Sequence, residues 1–173
     1  MSKYDNIQME KINEIRRNIE GNSKQMEEIV DDIITSYVEE LDKYVRHIDN
    51  RLCEKENPPT DAELESFCLN LSTLIYFAGG MCEQLGIRDS IAKAVYKETY
   101  NTSRDNLDKG TVQDKNTLAE LASQQEQLVS IAYTSAYKIM KSKVDNAQEL
   151  LSSCKKAISR RMQEQQLTNL SGG

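Results

Sequence analysis

Residues 112–166 read VQDKNTLAELASQQEQLVSIAYTSAYKIMKSKVDNAQELLSSCKKAISRRMQEQQ and contain neither glycine nor proline. Leu118, Leu121, Gln125, Leu128 and Ala132 follow alternating steps of three and four, and Val144, Ala147, Leu151, Cys154 and Ile158 resume that rhythm. This is the spacing of one helix face. Between the two runs, Ala132, Ala136, Met140 and Val144 step by fours, a stutter that locally unwinds a supercoil. The pattern predicts one unbroken helix of about 55 residues, roughly 80 Å long at 1.5 Å per residue. A rod of that length cannot cover its own apolar stripe, and the small residues Ala132, Ser135 and Ala136 invite a close neighbour. The other helices read as too short for the task. The expectation is therefore an oligomer built mainly by this helix.

Upstream, the sequence reads as helices divided by breakers. Thr60-Asp61-Ala62-Glu63 is a capping box, in which the Thr60 hydroxyl accepts from the Glu63 amide and the Glu63 carboxylate accepts from the Thr60 amide. The helix it opens carries Leu64, Phe67, Cys68, Leu71, Leu74 and Ile75, the expected centre of the core. Gly79-Gly80 and Gly86 predict two loosenings of the backbone around a short helical turn at 81–85. No strand precedes them and no G-x-x-x-x-G-K-[ST] pattern follows, so they form no phosphate loop. A further helix is expected over 89–107, with Ile91, Ala94 and Val95 on one face.

Asn57-Pro58-Pro59 ends a long helix whose stripe runs from Met26 to Leu52. Gly21-Asn22 predicts a stop between that helix and a short one marked by Ile12, Ile15 and Ile19. The tail from Asn169 is expected to be loose. The fold class is all-α: a helical bundle with a long C-terminal helix that pairs in a coiled-coil-like oligomer. It divides into acidic helices over 1–57, a short-helix core over 60–108 and the long helix over 111–167, forming one cooperative unit.

Composition agrees. Leu, Ile, Val and Phe total 38 of 173 residues and tryptophan is absent, which suits narrow apolar stripes better than a sheet core. No signal peptide opens the chain, and the apolar stretch 67–81 is too short and too polar to span a bilayer. Cys53, Cys68, Cys82 and Cys154 are scattered, form no C-x-x-C, and read as reduced thiols of a cytoplasmic protein.

Nothing in the pattern supports catalysis, a metal or a cofactor. His47, the single histidine, lies mid-helix between Arg46 and Ile48 and reads as a surface or edge residue, and no Glu-x-x-His pair exists for a bundle metal site. The carboxylates that share a face, such as Glu27 with Asp31, fall away from the apolar stripe and read as solvated.

Charge is uneven. Residues 1–66 hold 17 Asp/Glu against nine Lys/Arg, within a net charge of −6. Residues 133–162 hold seven cations, Lys138, Lys141, Lys143, Lys155, Lys156, Arg160 and Arg161, against Asp145 and Glu149. Such a segment either pairs with the acidic half or meets an anionic partner. Tyr133 and Tyr137 stand one turn apart before Lys141. Tyr96 and Tyr100 repeat the arrangement before Arg104, with Lys93 and Lys97 beside them. Rings and cations at this spacing can stack bases and neutralise the phosphates of a single strand. The same spacing serves rings packed at a helix interface with lysines passing over them.

The stretch Ile91-Ala-Lys-Ala-Val-Tyr-Lys-Glu-Thr-Tyr-Asn, the linker near Asp108, and the long helix through Ala136-Tyr-Lys-Ile-Met-Lys and Cys154-Lys-Lys-Ala-Ile-Ser-Arg-Arg-Met resemble, over residues 91–162, the layout of UvsY-type recombination mediators of tailed bacteriophages. The resemblance implies a helical, oligomeric, non-enzymatic protein of the host cytoplasm. Such a protein binds single-stranded DNA and helps load a recombinase onto strands coated by single-strand-binding protein. Lys97, Lys155, Lys156, Arg160 and Arg161 match the family's basic positions. The chain departs from that family in being acidic overall. From residues and resemblance together, the expected function is single-stranded nucleic-acid binding through Tyr137, Lys141, Lys155, Lys156, Arg160 and Arg161. The alternative is a protein–protein adaptor or structural assembly component with the long helix as its contact surface.

Overall fold

The computed structural model describes the backbone of residues 3–107 and 110–171, and the side chains of residues 17, 20–107 and 110–170. Four helices follow in order: α1 (Lys3–Leu52), α2 (Asp61–Asp105), α3 (Val112–Ala122) and α4 (Gln124–Ser171). No strand occurs among the described residues. The protein is an all-α bundle with a long C-terminal helix.

Cross-helix contacts give the directions. Arg51 of α1 meets Glu63 of α2 and Tyr37 meets Arg88, so these helices are antiparallel. Thr134 of α4 meets Asp89 of α2 and Arg161 meets Asp61, again antiparallel. Lys143 of α4 meets Asp42, so α1 and α4 run the same way. The core is the seam of all three: Val30, Ile34, Val38, Leu41 and Ile48 from α1; Leu64, Phe67, Leu71, Ala78, Cys82 and Leu85 from α2; Ala132, Ala136, Met140, Val144, Ala147 and Cys154 from α4. The four-residue steps on α4 put Ala132 and Ala136 in the core shared with α1 and α2.

The α1–α2 corner is set by local chemistry. The Thr60–Glu63 capping box is present, with Glu63 N–H donating to Thr60 Oγ1 at 3.2 Å and Thr60 N–H to Glu63 Oε2 at 2.7 Å. The Arg51 guanidinium joins the end of α1 to this cap, donating to Glu63 Oε1 at 3.0 Å, Glu54 Oε2 at 2.6 Å and the Asn57 carbonyl at 2.5 Å. A second capping box, Thr111 with Asp114, opens α3. Gly110 precedes it at φ +120°, a conformation that favours glycine.

Several expectations are corrected. Gly21-Asn22 does not stop α1, and Gly79-Gly80 and Gly86 do not divide α2. An interior glycine costs about 1 kcal/mol against alanine, which a helix with an extensive buried face absorbs. Gly86 has a packing role as well: a Cβ there would fall 3.1 Å from Cε2 of Tyr137. The side chains of Ile12, Ile15 and Ile19 lie outside the described residues, as do Asp108 and Lys109 of the expected linker. Helix continues through Asn169 and Leu170 to Ser171, so that part of the tail is helical.

The 112–166 helix is interrupted at Ser123, whose φ of −105° and ψ of 12° leave the helical range. Its hydroxyl is fully buried and donates back to the Ala119 carbonyl at 2.8 Å. This bond competes with the helical ladder and bends the chain. The offset lets α3 lie on α2, with Ala119 fully buried.

The need for another subunit also loses its premise. Helices α1 and α2 are 50 and 45 residues long and cover the α4 stripe from Ala132 to Cys154 within one chain. Leu118, Leu121 and Leu128, expected at the pairing seam, are instead exposed, and Leu151 is half-buried. Met140 is fully buried at the middle of α4. Met140→Ala should lower the unfolding free energy in urea by about 2–5 kcal/mol with native helix content retained. A loss below about 1 kcal/mol would remove Met140 from the core.

Candidate nucleic-acid interface

At 3.6 residues per turn, the α4 face opposite its buried stripe carries Lys138, Lys141, Asp145, Glu149, Ser152, Lys156 and Arg160, with Lys155 at its edge. All are exposed. The seven cations of the basic segment do not share one fate. Lys143 turns inward and binds Asp42 Oδ2 of α1 at 2.5 Å. Arg161 donates to Asp61 Oδ1 at 3.0 Å and to the Pro59 carbonyl at 2.7 Å, clamping α4 to the start of α2. Arg160 stays on the outer face but pairs with Glu164 at 2.9 Å, one turn on. Lys138, Lys141, Lys155 and Lys156 make no ion pair among the described residues.

The outer face is thus two cationic groups, Lys138–Lys141 and Lys155–Lys156–Arg160, separated by Asp145 and Glu149. Lys141 and Lys155 stand about 21 Å apart along the axis at 1.5 Å per residue. Of the six residues singled out by sequence, Lys141, Lys155, Lys156 and Arg160 share this surface. Arg161 is spent on a structural contact, and the Tyr137 ring is half-buried over Gly86. Lys138 joins the surface through the helix register.

The second aromatic cluster is also drawn into structure. Tyr96 and Tyr100 are half-buried, ring centroids 6.5 Å apart and tilted by 49°. Lys93 pairs with Asp89 at 2.7 Å, and Arg104 lies 3.6 Å from Asp105. His47 is exposed and its ring meets Phe67 edge-on at 5.8 Å. No group of three or more His, Cys, Asp or Glu among the described residues could hold a metal ion. No described helix is long and apolar enough to cross a membrane. The four cysteines are unpaired, and burial pushes the thiols of Cys68, Cys82 and Cys154 up.

Among the described residues, Asp89 is the one buried carboxylate. Burial would raise its pKa, but hydrogen bonds from Lys93 and from Thr134 Oγ1, at 2.5 Å, together with the charges of Lys93 and Lys138, hold it below the usual carboxylate range. A carboxyl depressed in the folded state stabilises the fold fully above its unfolded value of about 3.9, and loses that contribution as pH falls through the folded value. Asp89→Asn should therefore cost about 1–3 kcal/mol at neutral pH, and the gap from wild type should close as pH falls from about 5 to below 3. Paired denaturant titrations measure it. A gap unchanged across that range would show that the charge of Asp89 contributes nothing.

No protein-family model, curated protein or solved structure matches the chain, so its own residues carry the reading of its function.

Proposed function

We propose that this chain is a non-enzymatic helical accessory protein that binds single-stranded nucleic acid along the outer face of α4. The observation that carries this reading is the set of unpaired lysines there. On a chain with net charge −6, acidic partners are abundant, yet Lys138, Lys141, Lys155 and Lys156 close no ion pair with them among the described residues. Lysines held along one rigid helix give a phosphate chain two anchoring points without selecting a base sequence. The acidic α1 side discourages indiscriminate coating. The UvsY-type resemblance supports the same reading and extends it to a role beside a recombinase and single-strand-binding protein. The reading rests on the cations, not on stacking at Tyr137.

A second reading, the protein–protein adaptor, has its own observation: α2 exposes Leu69, Tyr76, Phe77, Ile87, Ile91 and Val95. It moves the expected contact surface from the long C-terminal helix to α2.

An unstructured oligonucleotide titrated at several salt concentrations separates the two. With four or five phosphates engaged, log affinity should fall against log salt with a slope of about −3. Lys155→Glu with Lys156→Glu should weaken binding at least tenfold at low salt and flatten the slope by about 1.4, with helicity retained. Failure of the wild-type protein to retain the oligonucleotide at low salt would leave the adaptor reading.

A further inference from the structure

Two of the four thiols stand at the same height on the two sides of the α2–α4 seam. Contacts at both ends of the seam fix its register. Arg161 of α4 donates to Asp61 of α2 at 3.0 Å, Thr134 donates to Asp89, and the Tyr137 ring lies over Gly86. Antiparallel helices keep step over every two turns. Seven residues up α2 and seven down α4, the Asp61–Arg161 contact becomes the pair Cys68 and Cys154. Further steps bring Ile75 level with Ala147, Cys82 with Met140, and Asp89 with Tyr133, beside the Thr134 that it meets. The register therefore agrees from both ends.

Both cysteines are also on the right flank. Cys154 is 2% exposed in the core, and Cys68 is half-buried and packs against that core. At 3.6 residues per turn, Cys68 lies about half a revolution from Asn70, which bonds Tyr44 of α1. It falls instead in the row of Asp61 and Gly86, the side that α4 touches. In helices packed about 8–10 Å apart with Cα atoms about 2.3 Å off each axis, directly facing Cα atoms stand roughly 4–6 Å apart. A disulfide spans about 4.4–6.8 Å between Cα atoms.

We propose that Cys68 and Cys154 form a redox modification site, in which hydrogen peroxide converts the two thiols into an intramolecular disulfide that latches α4 to α2. The half-buried Cys68 meets the oxidant first. Its thiolate attacks one peroxide oxygen, the O–O bond breaks, and the other oxygen leaves as water, so that Cys68 becomes a sulfenic acid. The Cys154 sulfur then attacks the Cys68 sulfur. The S–S bond forms, the S–O bond breaks, and hydroxide leaves with the Cys154 proton as a second water. The two thiols lose two electrons in all, and the peroxide accepts both. Burial pushes both thiols up, but the Lys155 ammonium offsets part of this at Cys68, which favours Cys68 as the source of thiolate. Cys53 is exposed beyond the end of α1, and Cys82 stands level with a methionine, so neither repeats the arrangement. The site rests on the α2–α4 register and is independent of the nucleic-acid reading.

Hydrogen peroxide added to the folded full chain, carrying Cys53→Ser to keep copies from crosslinking, tests it. Non-reducing peptide mapping by mass spectrometry should find the Cys68 peptide joined to the Cys154 peptide, two hydrogens lighter than the separate thiols. Because the disulfide closes the long loop between them, the melting temperature should rise by about 5–15 °C and fall back with dithiothreitol. Adding Cys154→Ser should halt the reaction at a Cys68 sulfenic acid that dimedone traps. Adding Cys68→Ser, at the half-buried position, should abolish the peroxide-induced rise in melting temperature. Thiols that stay unlinked in excess peroxide, a link from Cys68 to Cys82 instead, or a melting shift that persists with Cys68→Ser overturns the proposal.

Discussion

The stripe of α4 between Ala132 and Cys154 must be covered, and in this chain α1 and α2 cover it. Ala132, Ala136, Met140, Val144 and Ala147 offer little apolar area each. They contribute by letting two bulkier helices approach closely, so that Ile34, Val38 and Leu41 from one side and Leu71, Ala78 and Leu85 from the other close over them. Dense packing of this kind supplies the dispersion and transfer energy that a low-aromatic sequence cannot gain from large rings. The polar contacts register that seam. Arg51 fixes the α1–α2 corner, while Lys143 with Asp42 and Arg161 with Asp61 hold α4 at two heights.

The same contacts sort the basic segment. A cation near an acidic helix is drawn into the bundle, and a cation on the far side of α4 is not. What remains outside is a smaller, purer set of lysines than the sequence suggests.

Much of the fold is legible in the sequence. The capping box at Thr60 and the three-and-four spacing from Val144 to Ile158 are local signals, and each corresponds to a local feature of the structure, whereas α1 ends at Leu52, six residues before the expected stop at Pro58. The errors share one cause. Gly79, Gly80 and Gly86 are breakers by propensity, yet α2 runs through them because its buried face outweighs a few kcal/mol of backbone preference. Reading α2 as pieces left the long C-terminal helix without an intramolecular cover, and a partner subunit then looked necessary. Ser123 gave no warning, because Ser72, Ser90 and Ser152 return the same hydroxyl bond to the i−4 carbonyl inside unbroken helices. In the candidate site, the charge cluster was visible but its division was not. Lys143 reaches Asp42 across 101 positions and Arg161 reaches Asp61 across 100. Periodicity along one helix carries no information on such pairings. The exposed face of α2 was visible in part, as Ile91, Ala94 and Val95 on one face. That this face points outward is a tertiary fact.

The central claim is that α4 is covered by its own chain. Amide hydrogen exchange read by mass spectrometry over a dilution series tests it most directly. Protection of residues 132–154 should be the same at the highest concentration and at dilutions where the protein is wholly monomeric, since the seam that protects them is intramolecular. Protection that collapses on dilution, in step with loss of an oligomer, would contradict it and return the α4 stripe to an interface between subunits.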